Sequence, residues 1–126
     1  MDSLKASDDA AAAVAVAPRV TLANIEAAIG QRWDFSLKTA LEKMGMPITE
    51  ESGLLSICAL QMANGFMVVG KSAPASAANY DAALGRKFAY EDCIRQLWPL
   101  MGYALRDDLA QGYPGAGYPG AGYVVG

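Results

Sequence analysis

Residues 65–72 read GFMVVGKS and match the phosphate-loop pattern G-x-x-x-x-G-K-S letter for letter. In that motif, glycines let backbone amides wrap a phosphate, and a helix begins directly after the lysine. Here the four central residues are strand formers, Ala73 and Pro74 follow, and no later apolar run ends in an Asp that could hold magnesium. Nucleoside triphosphate hydrolysis is therefore set aside. A smaller claim survives. Lys71 and Ser72 lie in a loop leading to a helix start at Ser76, with Arg86 and Lys87 further along the same helix. Loop amides, a helix N-terminus and a few cations make a receptor for a small anion such as a nucleotide. The expected ligand-binding set is thus Lys71, Ser72, Ser76, Arg86 and Lys87. The competing view is that the cations are solvated surface charges.

Other chemistry is sparse. Glu50 with Glu51, Glu91 with Asp92, and Asp107 with Asp108 are adjacent pairs, and neighbours in sequence point apart on a helix. The chain has no histidine, which removes the commonest general base and metal ligand. Cys58 and Cys93 form no metal-type or redox-type doublet and read as buried thiols. No metal site, no cofactor and no catalytic residue is expected, so the protein is read as a non-enzyme. With a net charge of −3 and a pI near 4.8, it has no general attraction for nucleic acid or acidic lipid. No stretch approaches the roughly 20 apolar residues that span a membrane.

The elements that must position these residues read as mainly α: a compact domain of three to five helices with one short strand. The main helix is expected near 76–103, where Tyr80, Ala83, Leu84, Tyr90, Ile94, Leu97, Trp98 and Met101 recur at helical spacing. Pro99 is expected to end or kink it. Thr21 caps a helix from Leu22 to about Gly30. A second helical pattern runs over 31–46 and stops at Gly45 and Pro47. A third, central helix is expected to follow Thr49, because residues 54–62 are apolar almost all round, and Asn64-Gly65 ends it. Residues 1–19 read as a disordered Ala-rich arm, 20–110 as the single helical domain, and 111–126 as a low-complexity tail of GYPGA repeats presenting Tyr113, Tyr118 and Tyr123.

Residues 66–69 are short, apolar and partly β-branched, and read as a lone strand. Within a helical domain such a strand must pair with the arm before Thr21, with the C-terminal tail or with the same strand of another copy. No better partner exists inside the core, so pairing between copies through Phe66, Val68 and Val69 is expected. A homo-oligomer follows from that expectation.

Four runs, VTLANIEAAI at 20–29, NGFMVVGKSA at 64–73, NYDAALGRK at 79–87 and LWPLMGYALRDDL at 97–109, resemble the gp-forty-nine/gp-sixty-six family of small tailed-phage and prophage proteins. The likeness spans about residues 20–109 and is weakest over 31–49. It implies a phage-encoded protein acting in the cytoplasm of an infected bacterium, and it brings no catalytic residue. The expected function is a non-enzymatic accessory protein that forms a homo-oligomer and binds a nucleotide-like anion or a host protein, as a sponge or inhibitor of host defence. The alternative is a virion structural or assembly role using the strand edge and the Tyr-rich tail.

Overall fold

The computed structural model describes residues 2–112 and 124–125. Among them the chain forms α1 (Asp2–Val14), β1 (Pro18–Arg19), α2 (Leu22–Ala27), β2 (Ile29–Ser36), α3 (Leu37–Lys43), β3 (Ser56–Met62), β4 (Met67–Ser72), α4 (Ala82–Gln111) and β5 (Val124–Val125). Two 3-10 turns, Glu51–Leu54 and Ala77–Asn79, precede β3 and α4. Strands β2, β3 and β4 make an antiparallel sheet in that spatial order, and β1 pairs with β5 apart from it. The 30-residue helix α4 lies across one face of the sheet.

This is a mixed α/β fold and corrects the mainly-α expectation in three places. The central helix expected after Thr49 is strand β3, whose burial alternates along its length. Its residues run apolar because Cys58, Leu60 and Met62 face α4 while Ile57 and Ala59 half-fill the other side. Such a run does not declare its period. The first part of the pattern at 31–46 is strand β2, and only 37–43 are helical. The arm expected to be disordered carries helix α1, which seats Leu4 in the core. Arg19 donates to Asp8 at 2.7 Å and fastens that helix to the chain that follows. Of the tail expected over 111–126, Gln111 ends α4, Gly112 caps it and Val124–Val125 form β5, while the rest, with Tyr113, Tyr118 and Tyr123, lies outside the described residues.

The strand expected over 66–69 is also placed differently. It belongs to β4, which is laddered to β3 of the same chain with Val68 opposite Leu60 and Val69 opposite Ala59. Its mate is therefore internal, and the reason given for an oligomer through Phe66, Val68 and Val69 does not stand. Val68 is 4% exposed beneath α4, whereas Val69 is 58% exposed on the opposite face.

Helix α4 packs through Ala89, Cys93, Leu97, Met101 and Leu105, spaced four apart, with Ile94 beside them. Burying side chains such as Ile94 and Leu97 contributes about 1.5 to 3 kcal/mol each. Pro99 neither ends nor replaces the helix, which runs on to a left-handed Gly112. Pro99 and Arg95 both lie on the exposed side, so the carbonyl that proline leaves unpaired can turn to water. The helix begins at Asp81, not Ser76: Asp81 Oδ1 accepts from the Leu84 amide at 3.0 Å.

Candidate functional site

The phosphate-loop look-alike is a β-hairpin. Gly65 takes a φ of 90° in the turn, where the Met62 amide donates to the Phe66 carbonyl at 2.8 Å. Gly70 lies mid-strand under α4. A Cβ there would stand 2.8 Å from the Cys93 amide nitrogen and would also run into the Ala89 carbonyl. The first glycine thus serves a turn and the second a close approach of helix to sheet. The Lys71 amide, which a phosphate would need, donates to Asp92 Oδ2 at 3.0 Å.

The five expected anion-binding residues do not converge on one point. Lys71 sits on the open sheet face, in register with Ile57 and Phe35. Ser76 accepts the Ala78 amide at 3.3 Å within a 3-10 turn. The N-terminus of α4 is occupied by the Asp81 carboxylate, an anion of its own. Ser72 and Arg86 line two neighbouring clefts that share Tyr80 as a wall. Lys87 is one residue beyond Arg86, about 100° around the helix.

The cleft around Arg86, of about 340 Å³, is the more polar of the two. Tyr80 supplies aromatic surface, and Ser36, Thr39 and Ser56 supply hydroxyls. Ser36 caps α3, accepting the Thr39 amide at 3.2 Å, and its hydroxyl meets that of Thr39 at 2.9 Å. Asp34 also lines the cleft but is answered by Arg32, whose Nε lies 2.9 Å and Nη2 3.3 Å from the two carboxylate oxygens. Arg86 forms no ion pair with another described residue, so its charge is available to the cleft. Arg32 also stacks over the Tyr90 ring at 4.1 Å, and the Tyr90 hydroxyl donates to Glu26 at 3.1 Å. Burial and then Glu26 push the Tyr90 phenol well above its ordinary range, so it stays a neutral donor.

Sequence reading missed Asp34, Ser36, Thr39, Ser56 and Tyr80 as cleft residues. The first two sit on a strand read as helix, and Ser56 opens a strand also read as helix. The alternation of polar and aromatic side chains through Arg32, Trp33, Asp34 and Phe35 was the available signal.

The two cysteines are enclosed beneath α4. Cys93 Sγ donates to the Cys58 carbonyl at 3.3 Å. Burial, then the neighbouring Cys93, pushes the Cys58 thiol up to about 12. Cys93 is raised as well, first by burial. Among the described residues no group of His, Cys, Asp or Glu could hold a metal ion, and no helix is long and apolar enough to cross a membrane.

The model of the phage protein (N4 Gp49/phage Sf6 gene 66) family matches residues 20–109. The match takes in the whole three-stranded sheet, the Arg86 cleft and nearly all of α4, and leaves out α1. No curated protein matches, and no solved structure does.

Proposed function

Because the chain belongs to the phage protein (N4 Gp49/phage Sf6 gene 66) family, we propose that it is a non-enzymatic accessory protein of a phage or prophage, acting in the infected bacterium by binding. Its ligand is a small nucleotide-like anion held in the Arg86 cleft, and its effect is to withdraw a host signal of that kind. One observation carries this reading: an arginine without an ion-pair partner among the described residues lines a cleft walled by Tyr80. Guanidinium matches phosphate oxygens, the Tyr80 ring matches a base, and the hydroxyls of Ser36, Thr39 and Ser56 match a ribose.

Thermal melts with a panel of mononucleotides and cyclic dinucleotides test it. A ligand that binds only the folded chain raises its melting temperature. At millimolar concentration at least one nucleotide should do so, and Arg86→Glu should abolish the shift without altering the melt of the bare chain. A flat response across the panel ends the proposal.

A second reading, a virion assembly component, is favoured by a different feature. The sheet face turned away from α4 presents Trp33, Phe35, Met67 and Val69, all substantially exposed. Apolar surface of that kind suits a protein partner. Proteomics of purified virions decides: the chain should be present there in stoichiometric amount, and its absence excludes this role.

A further inference from the structure

The two edges of the sheet are treated differently. On β4, the outward backbone is covered by α4: the Lys71 amide donates to Asp92 Oδ2 at 3.0 Å, and Gln96 Nε2 donates to the Val69 carbonyl at 2.8 Å. On β2, no described residue hydrogen-bonds to the outward backbone. The phase of that strand follows from a bond at its end, where the Leu37 amide donates to the Leu55 carbonyl at 3.0 Å. Counting back by twos, Phe35, Trp33 and Gln31 turn their backbone groups to β3. Arg32, Asp34 and Ser36 turn theirs outward. A strand in this state is a template for another strand.

We infer that β2 is a self-pairing edge, and that its partner is β2 of a second copy of this chain, laddered antiparallel about a two-fold axis at Trp33. The side chains select that register. With Trp33 opposite its own copy, Arg32 of each chain stands opposite Asp34 of the other, and both fall in hydrogen-bonded positions. A shift of two residues in one direction sets Arg32 against Arg32, and in the other sets Asp34 against Asp34. Like charges directly opposed are disfavoured, so one register is selected. The same register places the Trp33 pair in a closer, non-hydrogen-bonded position at the centre of the interface. Two three-stranded sheets become one of six, with α4 and its copy on the same face and the apolar face made continuous. The pairing also brings Arg32 of the second copy beside Asp34, at the wall of the Arg86 cleft. It stands independently of what the cleft binds.

Sedimentation of the full chain should show a concentration-dependent dimer. Arg32→Asp and Asp34→Arg each put like charges across the axis, and each alone should weaken the dimer by about tenfold or more. Mixed in equal amounts, the two variants regenerate both opposite-charge pairs and should form a heterodimer, which a merely damaged fold would not do. Cross-linking repeats the test without touching charge. Under mild oxidation Trp33→Cys should give a disulfide-linked dimer, because residues directly opposite are close enough to bridge, whereas Phe35→Cys should not. A monomer at every concentration, a dimer indifferent to both charge reversals, a mixture that stays apart, or linkage through the Phe35→Cys chain would each overturn the inference.

Discussion

Gln96 on α4 donates from Nε2 to the carbonyl of Val69 on β4, at 2.8 Å. One turn earlier Asp92 accepts the Lys71 amide, so a helix laid over the sheet also reaches around its edge. Edge strands carry unpaired backbone groups that invite foreign strands, and side chains of α4 answer two of them here. Gln96→Ala should cost about 1 kcal/mol in urea unfolding, the usual net worth of one such bond. Asp92→Ala should speed amide exchange at Lys71 in particular. Unchanged exchange there would show that the carboxylate does not hold that edge.

Gly70→Ala tests the close approach of helix to sheet. The added methyl meets backbone of α4 at Ala89 and Cys93, and backbone cannot step aside as a flexible side chain can. Overpacking typically costs about 1 to 3 kcal/mol, and this substitution should fall at or above the top of that range. Chemical denaturation should read the loss as a lower midpoint with unchanged slope. If the phosphate-loop likeness were chemical, the same change would instead leave stability alone and remove nucleotide binding.

Thr21 and Asn24 form a reciprocal cap. The Asn24 amide donates to Thr21 Oγ1 at 3.0 Å, and the Thr21 amide donates to Asn24 Oδ1 at 2.9 Å. Both residues are buried, so water cannot replace the lost partner. Thr21→Ala should therefore cost about 1 to 2 kcal/mol, the upper part of the range for a cap, measured by thermal or urea unfolding.

Alkaline pH should destabilise the fold. Burial raises the Cys58 thiol from 9.0 to about 12, and it raises Cys93 and the Tyr90 phenol in the same direction. The folded chain therefore holds these protons more tightly than the unfolded chain does. The stability linked to them is fully present below about pH 9 and is lost as the pH rises from there toward 12. Melting temperature should fall steadily across that interval. Below it, both thiols should resist alkylating reagents until the chain unfolds.

Helix α4 was legible from its middle onward because burial there follows one period: Tyr90, Ile94, Leu97 and Met101 were read as core and are core, whereas Tyr80 and Leu84, read on the same stripe, are exposed. The start of α2 at Thr21 was legible for the same kind of local reason, a capping oxygen before an apolar residue. Gly65 was correctly read as a left-handed position, but it turns a hairpin where the end of a helix was expected. The two long strands were not legible, each for its own physical cause. In β3 the side away from the helix is half-covered, so Ile57 and Ala59 fill the gaps between Cys58 and Leu60 and blur the alternation. In β2 the outward face carries Trp33 and Phe35, so the apolar residues mark the side that is not the core. Of the cleft, only Arg86 among the expected set lines the polar part, because Asp34, Ser36 and Ser56 are brought to it by those same strands.

The two tryptophans occupy opposite conditions. Trp33 is 44% exposed on the bare side of the sheet, while Trp98 packs against the core and donates its indole N–H to the Val20 carbonyl at 3.3 Å. The molecule thus carries two optical reporters with separate audiences. An aqueous quencher reaches the first and reads whatever comes to cover it, and only the second registers the melting of the interior.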